Sequence, residues 1–282
     1  MAITGVCLVL FITFHCLMNA VAIFWPSGYN AVCEFLGANW YALVATVGLA
    51  ALFIIHIIYA IWLTIQNRKA RGNDQYEVRT TPPGVEWSSQ NMLVLGFVVI
   101  AFLVIHMIQF WAKMQLAEII HVDHIHAGVE VPPAAGTLFL QIAFAQIWTP
   151  IVYIVGFIAL WFHLNHGMWS MMQTVGWNGD IWMKRLKTIS LWWTTIVVGL
   201  FIVEAVVFTV RAHTQNFDEQ MQEYVEWKAA DYALDKATGV APVCVQEQCT
   251  NPGACQQGEC VNPAECNNPT CPTGCPEPAK AQ

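Results

Sequence analysis

Four histidines, one from each of four long apolar stretches, stand out in this chain. They are His15 in residues 2–25, His56 in 40–65, His106 in 91–111 and His166 in 147–172; a fifth stretch, 189–210, has none. A neutral imidazole is a metal ligand, and an ionisable side chain in hydrocarbon is costly enough to need a reason. Four apolar helices with one imidazole each is the donor set for two irons, each held by two histidines, as in bis-histidine haems. No coordination position then stays open, so the chemistry would be electron transfer rather than oxygen or peroxide activation.

The helices that must position these rings can be read from composition. The chain has 282 residues, 56% hydrophobic and 11% charged, with a mean hydropathy of +0.48. Each stretch is about 20 residues or longer, enough to cross a hydrocarbon core of roughly 30 Å as a helix. Backbone groups cannot go unpaired in lipid, so an all-α membrane protein is expected: a five-helix transmembrane bundle holding two haems, with a Cys-rich C-terminal tail. The net charge of −7 gives no footprint for nucleic acid.

Loop charges set the expected orientation. Arg68, Lys69, Arg71 and Arg79 follow the second stretch, and Lys184, Arg185 and Lys187 follow the fourth. The other two loops carry only Lys113, at a membrane edge. The positive-inside rule puts the N-terminus in the cytoplasm and the C-terminal tail outside. Trp25, Trp40, Trp87 and Trp111 stand near stretch ends, where an interfacial belt would place them. Ala20-Val21-Ala22 resembles a signal-peptide cleavage site, but no basic segment precedes it, and cleavage would remove His15 and Asn19.

Alternating helix direction sorts the histidines by depth. His15 and His106 fall in the outer half; His56 and His166 fall in the inner half. Inward side chains on facing helices are how bundle cores hold cofactors. His163 lies three residues before His166 at a depth that also matches His56, and spacing alone does not choose between them.

Two acids stand out. Glu34 is the sole acid of the first outer loop, and Glu204 lies within the fifth stretch. Both are candidates for proton transfer, and Glu204 for hydrogen bonding to a bound group while protonated. His121, Asp123, His124 and His126 form a weaker metal-ligand candidate in an outer loop. The expected organisation is a transmembrane domain over 1–212, an amphipathic helix over 213–239 and a Cys/Pro/Asn-rich external tail over 240–282. The tail holds seven cysteines, expected as disulfides outside the cytoplasm, with Cys33 as an eighth partner.

Residues 1–212 also resemble the cytochrome b subunit of diheme bacterial succinate dehydrogenases and fumarate reductases. The resemblance rests on Thr4-Gly5 with His15 and Asn19, on Tyr29-Asn30-Ala31, and on His106 followed by Phe110-Trp111-Ala112-Lys113-Met114. It rests most on His166-Gly167-Met168-Trp169-Ser170 with Gln173-Thr174-Val175-Gly176. It implies two haem b groups, a distal one on His15 and His106 and a proximal one on His56 and His166. It selects His166 over His163 as the ligand before the glycine.

It further implies a bacterial inner membrane location and menaquinone or another quinone as substrate. The implied partners are a flavoprotein that carries the dicarboxylate chemistry and an iron–sulfur subunit, with a dimer of heterotrimers as one assembly. Family members have a short cytoplasmic segment before the first helix, so an upstream start is a candidate here, and the tail lies outside the family pattern. The alternatives are the cytochrome b anchor of another respiratory oxidoreductase and a non-haem membrane transporter.

Overall fold

The computed structural model describes residues 1–72, 86–122 and 124–238, with a backbone hairpin at Cys255–Gln256 and Glu259–Cys260. Arg79, Asp123 and the remainder of the tail lie outside the described residues, as do the side chains of its cysteines. The chain divides into two units, Met1–Met221 and Gln222–Gln282.

The first unit is mostly helical. Its long helices are α1 (Ala2–Phe24), α3 (Trp40–Arg71), α4 (Trp87–His106), α7 (Trp148–Thr174) and α8 (Asp180–Thr214). Five helical spans, with α4 extended to Trp111, are long and apolar enough to cross a membrane, with mean hydropathies of 1.4 to 2.6. Their exposed surfaces are apolar, as at Ile54, Ile55 and Ile58 of α3. The chain is a multi-pass membrane protein.

Connections expected to be loops are partly helical. Pro26, whose fixed φ suits a first helical position, opens α2 (Pro26–Ala38). Asn39 then caps α3 by accepting from the Tyr41 amide at 3.1 Å. After α4 come a π-helical turn (Met107–Trp111) and α5 (Gln115–Ile120). A hairpin of β1 (His124–His126) and β2 (Val129–Val131) leads into α6 (Gly136–Phe144). The hairpin turns through Ala127 and Gly128, both at positive φ, which suits the twist of a two-residue loop. Helix α6 is almost wholly buried, from Leu138 to Phe144.

Cross-helix contacts fix the helix directions. Between α7 and α8 they run from Asn165–Ser190 through Trp161–Thr195 to Phe157–Phe201, so the two helices are antiparallel. Between α4 and α7 they run from Glu86–His166 to Gln109–Thr149, again antiparallel. These helices approach closely at Gly156, where an added Cβ would fall 2.5 Å from the Phe102 ring. Helix α8 ties to α1 through Arg211, whose guanidinium donates to the Ala22 and Ile23 carbonyls at 2.9 and 2.6 Å. Those carbonyls end α1 and have no partner within the helix.

Helix α3 is different. None of its apolar window is buried, against 39% for α8, so α3 sits at the periphery of the bundle. It leans on α1, where Thr4 meets His56 at 3.1 Å. Across the unit boundary in sequence runs α9 (Phe217–Thr238), acidic in its first turn. In the second unit the hairpin register places Cys255 opposite Cys260.

Candidate functional site

Two groups of histidines lie at different levels of the bundle. At the first, α1 and α4 bring the His15 and His106 rings to 5.8 Å between centroids, at 89° to each other. Aromatic residues surround them: Phe11 stacks on His15 at 5.4 Å, and Phe201, Phe102 and Phe110 lie within 6.0 Å of one ring or the other. His106 is also tied to a buried polar chain. Its Nδ1 is 3.3 Å from the Tyr153 hydroxyl, which donates to Gln109 Oε1 at 2.9 Å; Gln109 Nε2 donates to Thr149 Oγ1 at 3.1 Å. Tyr153, Gln109 and Thr149 are buried, so each needs such partners. The π-helical turn carries Gln109; π-turns are frequent at functional sites. On the other side, Asn19 donates to the His15 carbonyl at 2.8 Å and lies 3.4 Å from its ring.

At the second level the ring facing His56 is that of His163, at 6.4 Å and 59°. Among the described residues His56 has no ring contact with His166. His163 packs towards Gly96 of α4, and its buried Nδ1 has no hydrogen-bond partner among the described residues. His56 Nδ1 meets Thr4 Oγ1, which itself donates to the Met1 carbonyl at 3.0 Å.

His166 belongs to a separate polar cluster one turn further along α7. Its Nδ1 is 3.5 Å from Glu86 Oε2, and its ring lies edge-on to Trp169 at 4.7 Å. Lys187 donates to Glu86 Oε1 at 2.8 Å and sits 4.3 Å from the centre of the Trp169 ring. Partial burial pushes the Glu86 carboxyl up, but the hydrogen bond and charge of Lys187, followed by those of His166, outweigh it and hold the group below its ordinary range.

Both ring pairs fit a shared metal. Two imidazoles each bonded to one iron at roughly 2 Å hold their centroids about 6 Å apart. The 5.8 and 6.4 Å separations match that spacing, and the orphaned Nδ1 of His163 is a buried polar atom in want of a partner.

The two acids differ. Glu204 is 4% exposed on α8, one turn beyond Phe201, and its Oε1 has no hydrogen-bond partner among the described residues. Glu34 is half-buried on α2. Its neighbour Cys33 is a free thiol with Sγ directly over Gly136, and burial pushes it up to about 12. The side chains of the tail cysteines with which the sequence would pair it lie outside the described residues. His124 and His126 share one face of β1, their rings near Phe139 and Phe217 respectively. Burial, then the charge of Lys113, lowers the His124 pKa. Among the described residues no group of three metal-ligating side chains gathers outside the histidine pairs.

Sequence reasoning did not find Tyr153, Gln109, Thr149, Glu86 or the facing of His163. The signal for Gln109 was present: a lone amide in an apolar stretch, three residues after a candidate ligand, must be hydrogen-bonded if buried. No protein-family model, curated protein or solved structure matches the chain.

Proposed function

We propose that this chain is a quinone-reactive diheme cytochrome b, the membrane anchor of a succinate dehydrogenase or fumarate reductase complex. The observation that carries the reading is the pair of facing imidazoles at each of two levels of a membrane-spanning bundle, 5.8 and 6.4 Å apart. His15 and His106 would hold one haem b and His56 the other. For the helix α7 ligand we take His163 in place of His166, because His163 faces His56 and has an unpartnered nitrogen, whereas His166 is engaged by Glu86. Bound there, the haems supply one-electron transfer across the bilayer. The residues supply the rest. Aromatic side chains exclude water from the His15–His106 level. Glu204, buried and short of a partner, would accept or deliver a proton beside the quinone, and Glu34 would do so from α2.

The loop charges support a cytoplasmic N-terminus and an external C-terminal tail, and the family resemblance implies a bacterial inner membrane. In that orientation the His56 level is proximal to an iron–sulfur subunit, and the His15 level is distal and near menaquinone or another quinone. Purification from native membranes in mild detergent tests this function. Co-purification of a flavoprotein and an iron–sulfur protein, with succinate reducing the haems, is expected. Haem that neither succinate nor fumarate can oxidise or reduce would favour the anchor of another respiratory enzyme. A haem-free chain would favour a transporter.

A further inference from the structure

One histidine of each pair is held by a hydroxyl whose own proton is already committed. Gln109 Nε2 donates to Thr149, so its carbonyl oxygen faces Tyr153. The Tyr153 proton goes to that oxygen, which leaves only a lone pair for His106 Nδ1. Nδ1 must therefore carry the hydrogen, and Nε2 keeps the free lone pair. The second pair repeats the logic with different residues. The Thr4 proton goes to the Met1 carbonyl at 3.0 Å, so the Thr4 oxygen can only accept from His56 Nδ1 at 3.1 Å. Both hydroxyl residues are buried, Tyr153 at 4% and Thr4 at 9% exposure, so water does not compete freely for these bonds.

We infer that Tyr153 and Thr4 are positioning residues that fix His106 and His56 as Nδ1–H tautomers, so that each presents Nε2 as its metal-binding nitrogen. The inference rests on the haem reading above. A hydrogen bond accepted from the far ring nitrogen fixes the ring's orientation and makes the ligand more basic, which favours the more oxidised metal; partners of this kind change metal affinity by about 10- to 100-fold. Neither hydroxyl touches the metal-binding nitrogen itself.

The test is potentiometry of the purified protein with Tyr153→Phe and Thr4→Val, two near-isosteric losses of a hydroxyl. Each variant should raise the midpoint potential of its own haem and leave the other unmoved. A tenfold loss of preference for the ferric state corresponds to a 59 mV rise for one electron. The haem that Tyr153→Phe moves should be the one lost in His106→Ala, and the haem that Thr4→Val moves the one lost in His56→Ala. Should Tyr153→Phe fail to fold, Gln109→Leu keeps the tyrosine but removes its acceptor, and should move the same haem in the same direction by less. A folded variant that leaves its own haem unmoved, or moves both haems equally, overturns the assignment for that hydroxyl. Wild-type protein with no haem overturns the haem reading instead, before any variant is measured.

Discussion

The two histidine levels solve the same problem with different materials. At the His15–His106 level each helix offers one imidazole, the surroundings are aromatic, and the polar partners are neutral: Tyr153, Gln109 and Thr149 in a closed chain. At the His56 level one helix offers two imidazoles, the partner helix α3 is peripheral, and charge is close by at Glu86 and Lys187. The first level is specified by packing, so its pairing has one solution. The second lies nearer the α7–α8 connection, where Glu86 and Lys187 supply counter-charge. On the proposed haem reading, His163 and His166, one turn apart, divide the roles of cofactor ligand and ion-pair partner.

The largest expected effects come from testing that division. His106→Ala should remove one haem and His163→Ala the other, whereas His166→Ala should retain both, as read from haem content per chain. Loss of a haem in His166→Ala but not in His163→Ala would reverse the assignment and restore the choice that the His166-Gly167 motif suggested.

A smaller effect is expected at the acids. Glu204→Gln and Glu34→Gln should lower quinol-coupled turnover while both haems stay bound, with Glu204 the more severe because it is buried and lacks a partner. One general acid or base contributes about 10²- to 10⁴-fold in rate. Unchanged menaquinol-dependent rates in both variants would remove proton transfer from the comparison and leave the His15 level as a purely electronic one.

The smallest effect is at the Glu86–Lys187 pair. Glu86 is a third exposed, so breaking the pair with Glu86→Gln should cost no more than about 1 kcal/mol. Its sign with pH is fixed. A carboxyl held below its ordinary pKa contributes stability above the usual Glu range and loses it as pH falls through the folded-state value. Wild type and Glu86→Gln should therefore converge in thermal stability at low pH and differ most near neutrality. A gap that widens on acidification would contradict the ion pair.

Much of this was legible in the sequence, for physical reasons that differ by element. The five spans announce themselves because lipid demands long apolar helices, and His15, His56 and His106 stand out because imidazole is rare there. Helix α2 was read as a loop: with Asn30, Glu34 and two glycines it is short and not uniformly apolar. Helix α6 is nine residues, too short to separate from a buried strand by periodicity, and its burial comes from contacts with α2 and α8 distant in sequence. The choice between His163 and His166 was beyond spacing because residues three apart share a helix face. What separates them is Glu86, eighty residues away in sequence from His166, which meets His166 and not His163.

The central claim is two haems in one chain, and the haem-to-protein ratio of the purified protein tests it most directly. A pyridine haemochrome assay against quantitative amino-acid analysis should give two non-covalent b-type haems per chain. A ratio near one, covalently attached haem, or no haem at all would contradict the account.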